Sequence, residues 1–144
     1  MEWFGGRVPQ DVLKEWSAGG SRQLIGQAEF LPVALARALW RDRLRDRSAI
    51  CFVDNEAARV DLIKAFSPNV ASARMIELVT HLDIGDATLT GYERVPSESN
   101  VADPPSRDSA PPQIEGWRPV ERIQISDADC RTVALGVSSD QDAV

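Results

Sequence analysis

Hydrophobic positions recur at three- and four-residue spacing from Gln23 to about Leu44, at Ala28, Leu31, Leu35, Ala38 and Leu39, and this periodicity predicts an amphipathic helix. Pro32 fits that helix if it starts near Glu29, because the first turn needs no intrahelical donor at that position. From Ala49 to Val53 the pattern changes to an unbroken apolar run that stops at Asp54-Asn55. Such a run predicts a strand covered on both faces, as in parallel sheets. Glu56 to Phe66 returns to helical periodicity, with Asp54 or Asn55 as the capping residue. A further helix is expected from about Ala71 to Leu82, with Met75, Leu78, Val79 and Leu82 inward, and Ala87 to Val95 alternates like a strand. The order strand, helix, helix, strand predicts an α/β fold. It puts Asp54 at the C-terminal tip of a parallel strand, where open α/β sheets carry their sites.

The two ends read differently. Residues 1–21 open on Glu2-Trp3-Phe4-Gly5-Gly6, which reads as the end of a strand, followed by a short helix with Val12, Leu13 and Trp16 on one side and Gly19-Gly20 after it. A chain that begins inside a strand leads us to expect missing structure upstream. Residues 108–144 are rich in Pro, Ser and Asp, with strand-like patterning only from Trp117 to Ile125, so most of this acidic tail is expected to be disordered. Residues 22–107 are left as the core.

At 144 residues, with 43% hydrophobic and 26% charged side chains, the chain is of single-domain size and globular composition. The net charge of −6 argues against coating nucleic acid by bulk charge. The acid is concentrated in the tail, however: residues 22–64 hold eight basic and six acidic side chains, whereas residues 96–144 hold four and nine. The run Arg41-Asp42-Arg43-Leu44-Arg45-Asp46-Arg47 admits two readings, a helix end matched to its dipole or a nucleic-acid-binding patch. Cys51 and Cys130 lack metal-ligand spacing and read as reduced thiols, and the single histidine, His81, reads as a surface or capping residue. Without a membrane-length apolar stretch or a secretory leader, the expectation is an intracellular protein of the cytoplasm or nucleus, not secreted and without a membrane partner.

Three carboxylates stand out by position: Glu29 early in the first long helix, Asp54 at the strand tip and Asp103 in the loop after the second strand. If the strands are parallel neighbours, all three can converge at one end of the sheet. Converging carboxylates repel, and a divalent cation neutralises them. Hard oxygen ligands suit Mg²⁺ or Mn²⁺, and a pair of such ions can activate water against a phosphodiester. Glu29 and Asp54 can equally be helix-start residues favoured by the dipole.

The blocks Gln27-Ala28-Glu29-Phe30-Leu31-Pro32, Phe52-Val53-Asp54-Asn55-Glu56-Ala57-Ala58 and Arg94-Val95-Pro96-Ser97 with Asn100-Val101-Ala102-Asp103-Pro104-Pro105-Ser106-Arg107 resemble the ribonuclease H-like domain of retroelement reverse transcriptases. The last block is the most specific, and the resemblance spans residues 22–107. It implies a five-stranded mixed sheet flanked by helices, with Glu29, Asp54 and Asp103 as catalytic residues and metal ligands. It also implies two Mg²⁺ (or Mn²⁺) ions in an intact homologue, an RNA–DNA hybrid or other nucleic acid as partner, and an upstream reverse transcriptase domain. The family's first strand carries a further metal-bridging aspartate; that strand has no counterpart here, and neither Glu2 nor Asp11 lies in a matching context. The expectation is therefore an N-terminally truncated domain whose parent cleaves the RNA of hybrids and whose own activity is impaired. The alternative is a non-catalytic binding or connection module.

Overall fold

The computed structural model describes residues 1–20 and 24–136. In chain order they form β1 (Glu2–Trp3), α1 (Gln10–Ala18), α2 (Ile25–Leu39), α3 (Arg41–Leu44), β2 (Ser48–Val53), α4 (Glu56–Lys64), α5 (Val70–Gly85), β3 (Leu89–Arg94), α6 (Asp103–Ser106), β4 (Glu121–Arg122) and α7 (Asp127–Leu135). The chain is α/β. Asn55 and Asn69 start α4 and α5 by accepting from Ala58 N at 3.0 Å and Ser72 N at 2.9 Å. None of the helices is long and apolar enough to cross a membrane.

β2 and β3 are parallel neighbours in register from Ser48 opposite Leu89 to Val53 opposite Arg94. The strands do not join into one five-stranded mixed sheet: among the described residues β1 pairs only with β4, in parallel, as a separate two-stranded element. Nor is β2 covered on both faces. Cys51 and Val53 turn toward the core, but Ile50 and Phe52 are 65% and 63% exposed, because no layer of the described chain lies on that side. An apolar run fixes what a strand can bury, not which layers exist to bury it.

The core is built mainly by four helices, with Val12 and Trp16 from α1, Phe30, Leu31, Ala34 and Leu35 from α2, Met75, Ile76 and Val79 from α5, and Val133 and Ala134 from α7. α7 lies in the segment expected to be a disordered tail. It is nucleated by a capping box, in which Ser126 accepts from Asp129 N and Asp129 accepts from Ser126 N, and it buries two side chains against α2 and α5. The helix expected to run to Leu44 starts earlier, at Ile25, and breaks at Trp40. Pro32 therefore lies inside α2 and not in its first turn. It is tolerated because both Pro32 and Ala28, whose carbonyl loses its partner, face solvent.

The C-terminal ends of α2 and α5 are tied by charge. Arg37, 4% exposed at its side chain, donates to Asp83, to Asp86 at 3.2 Å, to the Leu82 carbonyl at 2.8 Å and to Thr88 at 3.1 Å. Arg41 joins Asp86 from the surface at 2.8 Å, and Arg45 adds a contact at 3.4 Å. Arg43 pairs with Glu2. The basic run is thus largely consumed by ion pairs within the chain, which favours the structural reading of it over a nucleic-acid patch. Removing a buried charge strands its partners. Arg37→Ala is expected to cost about 3 kcal/mol in urea denaturation. Arg43→Ala, at a solvated pair, should leave the midpoint within error.

Candidate functional site

Asp54 follows the last residue of β2. Val53 is buried and its carbonyl accepts from Val95 N at 3.2 Å, so the strand is anchored up to its tip. Asn55 is committed to capping α4. Between these two fixed neighbours the Asp54 side chain is presented at the end of the sheet. Glu29 reaches the same place from the second turn of α2. Partial burial, and after it the charge of Asp54, push the Glu29 carboxyl above its ordinary value of 4.5.

The loop after β3 supplies the third side of the site. A 3₁₀ turn at Ser97–Ser99 delivers Asn100, whose Nδ2 donates to Asp54 Oδ2 at 3.2 Å. Asn100 Oδ1 accepts from Ala102 N at 3.0 Å, and its backbone carbonyl accepts from Asp103 N at 3.1 Å. Asp103 then opens α6, with its carboxylate 3.4 Å from the Arg107 guanidinium. α6 is held from behind: Pro105 is buried, and Gly5 lies so close to the Pro105 carbonyl that a Cβ would overlap it.

Of the three carboxylates singled out in the sequence, Glu29 and Asp54 come together. Asp103 stands apart from them as a carboxylate and is connected through Asn100. Among the described residues no three His, Cys, Asp or Glu side chains group closely enough to hold a metal ion. Glu2 bonds Trp40 Nε1 at 2.8 Å and pairs with Arg43, and Asp11 pairs with Arg131, so neither of these acids belongs to the site. His81 is exposed, with Nδ1 3.0 Å from the Glu77 carbonyl. Cys51 is half-buried against the core and its thiol is pushed up to about 11 by desolvation, the condition of an inert packing residue.

Asn100 is the residue of the candidate site whose contacts sequence reasoning did not single out. Its signal was local: an Asn two residues before the amide it can accept from forms an Asx-type turn, which leaves the amide nitrogen pointing outward. Comparison with protein-family models, with curated proteins and with solved structures finds no match.

Because the Glu29 carboxyl is raised, its stabilising protonated form is complete below 4.5 and is lost as pH rises through the folded value. Glu29→Gln is therefore expected to raise the thermal midpoint at pH 7 and to lose that advantage below pH 4.5. Circular-dichroism melts of the two proteins at pH 4 and 7 check this, and a lower midpoint for the variant at pH 7 would contradict a Glu29 carboxylate crowded by Asp54.

Proposed function

We propose that this chain is a ribonuclease H-like nucleic-acid-processing domain acting on RNA–DNA hybrids, with Glu29, Asp54 and Asp103 as its site carboxylates and low intrinsic turnover. The observation that carries the reading is the parallel pairing of β2 with β3. It sets the Asp54 tip beside the loop of Asn100 and Asp103 while α2 brings Glu29 to the same end. Two neighbouring carboxylates fit one hard divalent cation, since Mg²⁺ is commonly held by one or two carboxylates plus substrate phosphates. Glu29 and Asp54 would hold it, with Asp103 joining from the loop, and the bound ion would supply Lewis-acid activation of a water against a phosphodiester. The residues' own part is to present oxygen ligands from rigid elements, a strand tip and a helix, so that little ordering remains to be done on binding.

Turnover is expected to be low because, among the described residues, no acid joins Glu29 and Asp54 in the place of the further aspartate that the resemblance implies. The alternative is a hybrid-binding or connection module without chemistry.

The test is a labelled RNA–DNA hybrid incubated with the full chain and Mg²⁺. Binding with slow cleavage that disappears in Asp54→Asn is the expected result. Cleavage that survives the substitution overturns the role of Asp54. Binding with no cleavage even in Mn²⁺ moves the assignment to the binding module, and a chain that does not bind the hybrid sinks both.

A further inference from the structure

β2 has an edge without a partner strand among the described residues. The bonds from Leu89 N to the Arg47 carbonyl and from Val95 N to the Val53 carbonyl show that the odd-numbered residues of β2 turn their backbone groups toward β3. By the alternation of a strand, Ser48, Ile50 and Phe52 direct theirs to the open side, where no backbone group of the described residues meets them. Such an edge is a template for another strand, which natural proteins prevent with lysine, proline, a bulge or a very short strand. Ser48-Ala49-Ile50-Cys51-Phe52-Val53 runs six residues without a charge or a proline. The residues with unpaired backbone also carry the exposed side chains Ile50 and Phe52. The outer edge of β3 is different: α4 packs along that strand, and the Tyr92 carbonyl accepts from Arg59 Nη1 at 3.3 Å.

The occupant that fits this edge is β2 of a second copy, running antiparallel. Charge sets the direction. Arg47 precedes the strand, exposed and with no ion pair among the described residues, whereas Asp54 and Glu56 follow it. A parallel copy would set like ends side by side, and an antiparallel copy sets Arg47 at the acidic end of its neighbour. The backbone sets the register, because two residues that exchange both bonds must each point to the open edge. Ile50 opposite Phe52 of the second copy satisfies this and puts Ser48 opposite Asp54, apolar against apolar and polar against polar. A shift either way sets Phe52 against Ser48 or Ile50 against Asp54. The Ile50–Phe52 pair then occurs twice about a two-fold axis at Cys51, and with α4 along β3 the assembly closes at two copies.

We propose that two copies of this chain associate through antiparallel pairing of their β2 strands, making one continuous four-stranded sheet. The pairing gives partners to the backbone groups of Ser48, Ile50 and Phe52 and sets the exposed Ile50 and Phe52 side chains of each copy against those of the other. It stands on the open edge and the charge at its ends, independently of the reading as a nuclease-like domain. It also brings Arg47 of the second copy to the end of the sheet that carries Asp54.

The experiment is sedimentation equilibrium of the full chain from micromolar to millimolar concentration, with residue-resolved amide exchange by NMR at the two ends of that range. A reversible monomer–dimer equilibrium is expected. The Ser48, Ile50 and Phe52 amides should be protected only in the concentrated sample, whereas those of Ala49, Cys51 and Val53, bonded to β3, should be protected in both. Ile50→Lys adds a charge to the pairing edge, and Ile50→Pro removes a donor that the β2–β3 ladder does not use; each should weaken the dimer by about 10-fold or more. Melting curves show whether the variants are folded, and if the proline variant is not, the lysine variant decides. A chain that stays monomeric throughout the range overturns the proposal. So does a dimer that survives the substitutions, or one that leaves the Ile50 and Phe52 amides unprotected.

Discussion

Arg37 occupies a position on α2 that would normally be filled by an aliphatic residue: it faces the core side, and its guanidinium is almost wholly out of water. Taking a charge out of water costs several kcal/mol unless partners replace the hydration shell. Here Asp83, Asp86, Thr88 and the Leu82 carbonyl, from the end of α5 and the start of β3, take up Nε and Nη2, while Nη1 is buried without a hydrogen-bond partner among the described residues. Thr88 passes its own hydroxyl to the Leu44 carbonyl, so the chain just before β2 belongs to the same cluster. The guanidinium thus fixes where α5 ends, where β3 begins and how β2 enters beside it. Backbone bonds from Asp46 N to the Asp86 carbonyl at 2.8 Å and from Leu89 N to the Arg47 carbonyl at 3.0 Å carry the same alignment into the parallel pair.

The site is assembled from pieces of different rigidity. Asp54 and Glu29 come from elements embedded in the core, whereas Asp103 comes from a one-turn helix on a loop and depends on Asn100, Gly5 and Pro105 for its place. Rigid elements carry Glu29 and Asp54, and the looser element is tied to Asp54 by one neutral amide.

Much of this was legible residue by residue. The apolar run ending at Asp54, the capping asparagines Asn55 and Asn69 and the alternation before Val95 are local signals, and local structure followed them. Arg37 was not legible, because nothing in its neighbourhood distinguishes a buried arginine from a solvated one; its partners lie about forty-five or more residues away. α7 carried a readable start signal in Ser126-Asp127-Ala128-Asp129, masked by the polar composition around it. The exposure of Ile50 and Phe52 was beyond reach, since it depends on a layer that is not there. Glu29 and Asp54 were found by position along the chain; the role of Asn100 required seeing which way its amide faces.

The pairing of β1 with β4 closes the chain on itself across almost its whole length: the terminal amine reaches the Pro119 carbonyl, 118 residues away. Closing so long a loop costs on the order of 4 kcal/mol in chain entropy, against the return from two residues on each strand. The pairing does not stand alone: Glu2 accepts from Trp40 Nε1 and pairs with Arg43, and Phe4 lies against Trp40 with ring centroids 5.7 Å apart. Gly5 follows β1 and lies against Pro105, so the same segment also backs the helix that carries Asp103. A two-residue pairing far along the chain thus bears, through Gly5, on the placement of Asp103.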